Sequence, residues 1–329
     1  MKASHFFSFL ILILCLIGCT NSNSKPSSLQ QWLIPNGKVK VLTTTAMIGD
    51  LVMQVGGEHA DVLILIKGDL DPHSYQLVKG DDEKLSFANI IFYNGLGLEH
   101  GPSLQHHLED NKKAISIGDY ILKHKDSILK SNGQMDPHIW MDVSLWAGSV
   151  PIIVQKLSTL DPTHAEEFKK NGEVLTQKML ETHKEIKDLI SAIPNDKRYL
   201  VTSHDAFNYF SRAYLATDDE LKNNNWQHRF EAPEGLAPES QLSTRDIQGI
   251  IDHLTKYQIH VVFPESNISK DSIRKIIQAG KEKGLNLKIA KTPLYGDAMG
   301  PPGSDGDTYL KMVLHNARTI SEYLKNNDP

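Results

Sequence analysis

Thiols are scarce: the 329 residues hold two cysteines, Cys15 and Cys19, both at the extreme N-terminus. Beyond them the chain has no cysteine for a disulfide, for a thiolate metal centre or for nucleophilic catalysis. A basic surplus is also missing, since 35 Lys and Arg face 40 Asp and Glu for a net charge of -5. With no stripe of Lys and Arg along the chain, the electrostatic footprint of a nucleic-acid binder is absent and no nucleic-acid partner is expected. Catalytic signatures are lacking too: there is no HExxH helix, Gly-x-Ser-x-Gly elbow, phosphate loop or Gly-x-Gly-x-x-Gly turn. The one long apolar run, Phe6 to Ile17, is too short for a comfortable membrane span.

What is present begins with that run. Lys2 precedes it and Leu16-Ile17-Gly18-Cys19 closes it, the pattern of a secretory signal over residues 1–18. The Gly18-Cys19 junction resembles the lipobox of bacterial lipoproteins, which implies lipid on Cys19 as the first mature residue. Diacylation as well would be needed for a stable hold on a membrane surface, because one acyl chain attaches only marginally. The polar stretch TNSNSKPSSLQQ cannot build a core and reads as a tether over 19–37. The chain is therefore expected to be exported, in a periplasm or on the outer face of a cytoplasmic membrane.

The remainder is long enough for two lobes. KVKVLTTTAMIGDLVMQVGG, ADVLILI, DDEKLSFA and NIIFYNG alternate strand and helix, the signature of a parallel sheet covered on both faces. From Asp161-Pro162, read as an N-cap and first-turn proline, Phe168, Leu175, Met179, Ile186 and Ile190 recur at helical spacing up to Pro194. Strand signals return in KRYLVTS, HVVFPES and LKIAKTPLYG. The expected fold class is α/β with two lobes, each a mainly parallel sheet flanked by helices, joined by one long helix. The lobes are placed at 38–160 and 195–329 and the linking helix at 161–194.

Fifteen histidines are many for such a chain and direct attention to metal binding. His73 in GDLDPHSYQ, His138 in MDPHIWMDV, His204 in TSHDAF and Asp297 in LYGDAMG all follow strand-like segments, where α/β sheets gather their ligands. A lone histidine at such a position is ordinarily a satisfied polar residue; four candidates at equivalent loops of two lobes are not so easily dismissed. Three imidazoles and a carboxylate suit one divalent transition metal ion, with iron, manganese and zinc all acceptable. In each Asp-Pro-His the proline restricts the aspartate before it, so Asp71 and Asp136 are candidates to accept the other ring N–H of the ligand histidine. Asp205 and Glu265 are further candidates for support behind the ligands. His106, His107, His124, His164, His183, His228 and His253 are expected at the surface, and His100 and His315 in structural roles. The same cluster could serve a zinc-dependent hydrolase with Asp297 as base, and a lipid-displayed chain could also act as a surface adhesin.

At these residues the chain resembles the solute-binding lipoproteins of ABC importers for manganese, zinc and iron, bacterial solute-binding protein family 9. DPHSYQ, NGLGLE, DPHIWMD, TSHDAFNYF, VVFPESNIS and LYGDAMG…DGDTYLKMVLHN run in family order over about Val39 to Leu324. The resemblance implies that the metal lies between the lobes, held by His73, His138, His204 and Asp297. It implies a monomer that needs a separate permease and ATPase as partners. His204 stands where manganese-tuned members often have Glu, which argues against exclusive use of manganese. Many zinc-specific members carry a long loop rich in His and acidic residues; here only His100, His106 and His107 follow Leu98, which argues against a dedicated zinc scavenger. The polar stretch 217–241 looks longer than its family counterpart.

Overall fold

In the computed structural model the described residues are 28–124, 127–131, 133–238 and 242–325, so the signal reading and Cys19 lie outside them. The chain divides into compact units at 1–35 and 36–329. In the first, Ser28–Trp32 forms a short helix inside the stretch expected as tether; this segment has no glycine or proline to prevent a helical turn. Everything that follows concerns the second unit. No helix among the described residues is long and apolar enough to cross a membrane.

The N-terminal lobe is built on four parallel strands, β1 (Val39–Thr43), β2 (Ala60–Ile64), β3 (Ile90–Tyr93) and β4 (Ala114–Ser116), in the order β2-β1-β3-β4. Every residue of β1 is buried, as a central strand covered on both faces requires. Even Lys40 is enclosed, its Nζ 2.6 Å from Asp61 Oδ2 on the neighbouring strand. The helix Ala46–Gly56 covers one face through Met47, Ile48, Leu51, Val52 and Val55, and Gly57 at φ 51° ends it. After β4 the sheet is complete, and the chain runs through the helix Ile117–His124 into a small antiparallel hairpin, β5 (Lys130–Ser131) with β6 (Gln134–Met135).

The linking segment opens with a 3-10 turn, Pro162–His164, and continues as the α-helix Ala165–Ser191. Its 27 residues span about 40 Å. Phe168, Leu175, Met179, Ile186 and Ile190 are all buried, the stripe the spacing predicts. Asp161 stands at the N-cap of the 3-10 turn, but its side chain makes no cap bond; its carboxylate accepts from His164 Nδ1 at 2.6 Å instead. Gly172 is a contact point, because a Cβ there would stand 2.5 Å from Val154 Cγ2 on the helix Val150–Leu160.

The C-terminal lobe carries two parallel pairs, β7 (Leu200–Val201) with β8 (Phe230–Glu231) and β9 (Val261–Val262) with β10 (Lys288–Ile289). Phe263 N–H donates to Val201 O at 2.8 Å and joins them, so the order β8-β7-β9-β10 repeats that of the first lobe. The stretch 217–238 is locally ordered: Thr217 and Glu220 form a capping box, and Arg229 binds Glu220 at 2.8 Å. A continuous apolar core runs from Val41 and Phe92 through the linking helix to Phe207, Phe263 and Met312, crossing from one lobe to the other. The last helix, Tyr309–Lys325, belongs to this core, and Tyr309 OH donates to Trp140 O at 2.7 Å.

Candidate metal centre

Both Asp-Pro-His tripeptides fold into the same local turn. Asp71 Oδ1 accepts His73 N–H at 2.8 Å, and Asp136 Oδ1 accepts His138 N–H at 2.9 Å. The proline between keeps the aspartate extended so that its carboxylate can reach forward two residues. Only the second aspartate also meets a ring, with Asp136 Oδ1 2.7 Å from His138 Nδ1. Asp71 is not placed against the His73 ring: its other oxygen is taken by Ser74 Oγ at 2.5 Å, so it supports the turn rather than the imidazole. His138 also departs from the strand-end expectation. It follows the β5–β6 hairpin and precedes the 3-10 turn Ile139–Met141, because the parallel sheet already ended at β4. Asp142 opens the next helix as expected, accepting from Ser144 and Leu145 N–H.

His204 sits where β7 gives way to the next helix and is fully buried. Glu265, beyond β9, accepts the N–H groups of Ser203 and His204 at 3.0 and 2.9 Å on one oxygen. Its other oxygen lies 2.7 Å from His204 Nδ1, within ion-pair distance. A Cβ on Gly296 would stand 2.2 Å from Glu265 Oε2, so the close approach of this loop requires glycine. The next residue is Asp297, and Gly296 O accepts from Trp140 Nε1 at 3.0 Å.

These turns converge. Asp297 Oδ2 is 3.1 Å from His204 Nε2 and 3.6 Å from His73 Nε2, and Oδ1 is 3.5 Å from His138 Nε2. One donor atom from each of the four residues lies within 4.8 Å of all the others, and all four residues are buried. Nε2 of His73 and His138 and both oxygens of Asp297 have no hydrogen-bond partner among the described residues. Leaving buried polar atoms unmatched costs about 1–3 kcal/mol each, and a cation among them would satisfy every one. Burial lowers the His73 pKa to about 3, deepened by His138 and His204 and only partly offset by Asp297, so its ring is neutral and ready to ligate. Burial also opposes charge on His204, but Glu265 and Asp297 together outweigh it and raise its pKa well above the ordinary value. Burial pushes Asp297 up, yet the three imidazoles hold it well below the usual carboxylate range.

Supports that the sequence did not disclose lie behind these residues. Asn208 Nδ2 donates to Asp136 Oδ2 at 3.0 Å and to Asp205 Oδ1 at 2.6 Å, tying the two lobes behind His138. Asp205 is therefore not a partner of an imidazole; it faces Ser131 Oγ at 2.8 Å on the hairpin. Burial, with Asp136 nearby, raises its pKa to about 6. In NGLGLE, Glu99 accepts N–H from Asn94 and Gly95, and Asn94 Nδ2 donates to Pro137 O at 2.9 Å, bracing the second Asp-Pro-His. Only the i+4 spacing of Asn208 from His204 hinted at any of this. Of the other histidines, His106, His107 and His124 are exposed, whereas His164, His183, His228 and His253 are half-buried; His183 Nδ1 meets Tyr214 OH at 2.9 Å. His315 bridges Asp305 and Pro293 O, a structural role. A cleft of about 1220 Å³ opens beside the hairpin between Lys130, Trp226, Glu231 and Tyr257, and Asp205, next to His204, is part of its lining.

The family described as ZnuA, zinc-uptake complex component A periplasmic, matches residues 41–323. The chain belongs to this family. The metal-binding protein YtgA of Chlamydia muridarum is 39% identical over 313 residues, covering 95% of this chain and 94% of that one. The manganese-binding lipoprotein MntA of Bacillus subtilis is 32% identical over 326 residues, covering 99% of this chain and all of its own. The crystal structure of Fe(III)-bound YtgA from Chlamydia trachomatis superposes with a TM-score of 0.82 at 38% identity, covering 87% of this chain and 98% of that one. Like its ZnuA-family neighbours, this chain has two lobes, each with parallel strands, joined by one long helix. Both relatives carry the names of metal-binding proteins.

Proposed function

We propose that this chain is the extracytoplasmic solute-binding component of an ABC importer. It captures one divalent transition metal ion between its lobes through His73, His138, His204 and Asp297 and delivers the ion to a membrane permease driven by a separate ATPase. The observation that carries this reading is the convergence of four buried side chains whose donor atoms face one another without other partners. The ion is cargo, and no step of turnover is assigned to the cluster.

Capture is a proton-coupled event. His73 presents a neutral Nε2, Asp297 is ionised, and His204 must give up the proton that Glu265 and Asp297 stabilise before its Nε2 can ligate. Asp136 holds the His138 ring with Nε2 toward the cluster. Since two ligands come from each lobe, loading ties the lobes together, and release requires them to part or one ligand to withdraw. Three nitrogens and an oxygen accept iron, manganese and zinc, with zinc tightest at equal concentration, so supply decides which ion is carried. The lipid anchor on Cys19 is supported by the Gly18-Cys19 junction and by the lipoprotein name of MntA.

The test is elemental analysis of protein purified without chelator, then competition among the three metals, repeated with His204→Ala. About one ion per chain is expected, with affinity reduced more than about hundredfold in the variant, beyond what loss of a ligand's supporting group costs. Unchanged stoichiometry and affinity in His204→Ala would remove that residue from the site.

A further inference from the structure

A second group of potential ligands lies at the start of the linking helix, away from the buried cluster. His59 ends the 3-10 turn Gly57–His59, and Asp161 and His164 come from the corner between Val150–Leu160 and the linking helix. The two imidazoles stack with ring centroids 3.5 Å apart and planes 12° from parallel. His164 Nδ1 lies 2.6 Å from Asp161 Oδ2, so a ring nitrogen and a carboxylate oxygen already stand side by side, and an ion held between them would replace the proton they share. His59 Nε2 lies 3.1 Å from Glu167 Oε2, so a further carboxylate is at hand. One donor atom from each of His59, Asp161 and His164 falls within 4.8 Å of the others, and all three residues are half-buried.

We propose that His59, His164 and Asp161 form a second cation site that takes an imidazole-preferring divalent ion, with zinc as the probe. Imidazole nitrogens with one carboxylate suit zinc, copper and nickel and leave manganese poorly held. The site is weaker than the buried one for a geometric reason. A metal–nitrogen bond lies in the plane of its ring, so two nearly parallel rings cannot point at one ion until one of them turns. His59 is the ring that turns, since it sits on a short turn and its partner Glu167 is half exposed, with a side-chain exposure of 49%. Turning also frees Glu167 to approach the ion. Once bound, the ion staples the end of the helix Ala46–Gly56 to the linking helix, at a contact already held by Asn171 Nδ2 on Val55 O at 3.1 Å. The site therefore reports on the rigidity of the first lobe independently of cargo.

The experiment titrates zinc into the chain carrying His73→Ala, which disables the buried cluster, with and without His59→Gln or His164→Ala, by calorimetry and by thermal melting. With His73→Ala alone, about one weakly bound zinc per chain and a zinc-dependent rise in melting temperature are expected. Adding His59→Gln or His164→Ala should abolish both, while His59→Gln alone leaves tight binding at the buried cluster unchanged. Should His164→Ala fail to fold, His59→Gln on the exposed turn carries the same test. A His73→Ala chain that binds no zinc, or equal weak binding with and without His59, overturns the proposal. Because the wild-type chain is titrated beside them, loss of its tight phase alone would count against the cargo site and not against this one.

Discussion

At the scale of the residue, the cluster is governed by where its protons sit. A raised pKa on His204 means that the protein holds a proton there below that value and that the ion must displace it. Affinity is therefore expected to rise with pH until His204 titrates and to fall by about tenfold per pH unit below that point. Calorimetry in two buffers of different ionisation enthalpy at pH 7 should show about one proton released per ion. Replacing Glu265 by Gln removes the largest stabiliser of that proton, so the release should shrink; a release unchanged in Glu265→Gln would break the link. Asp136→Asn keeps the turn but loses the charge behind His138, and affinity should drop roughly 10- to 100-fold. His73 and His138 were readable from a repeated tripeptide, and His204 and Asp297 from the ends of strands. Glu265 was named as a support, but its pairing with His204 in particular was not legible, because it joins segments some sixty residues apart, and neither was the need for Gly296, which is a packing fact.

Among the elements, the linking helix was the most legible, since its buried stripe repeats at a spacing that no strand would produce. Asp161 and Pro162 do stand at its N-cap and first turn, but the turn is 3-10 and the Asp161 carboxylate is used on His164 rather than on the backbone. The short strands of the second lobe also gave their place away through apolar runs, but the hairpin before His138 did not, being two residues a side and polar. Gly172 offers a test of the helix packing. Ala there would press its Cβ on a stiff valine, and a loss of about 1–3 kcal/mol is expected in urea unfolding, with metal stoichiometry intact. A variant as stable as the parent would show that the two helices are not in close contact at that point.

For the molecule as a whole, the two lobes share more than the ion. Asn208 to Asp136, Ser131 to Asp205, Trp140 to Gly296 and Tyr309 to Trp140 all cross between them, and the apolar core is continuous through the linking helix. A large hinge opening would break these bonds together, two of them fully buried, so only a modest rearrangement is expected between metal-free and metal-loaded protein. Solution scattering should give nearly equal radii of gyration for the two forms; a clear expansion without metal would contradict that. Metal at a thousandfold excess over its dissociation constant should still stabilise the fold by about 4 kcal/mol, read as a higher melting temperature. The central claim, however, is about one point in space. Anomalous diffraction from metal-loaded crystals is expected to show an ion with Nε2 of His73, His138 and His204 and a carboxylate oxygen of Asp297 at roughly 2.0–2.2 Å, whereas an ion bound elsewhere with those four side chains left unligated would contradict the account.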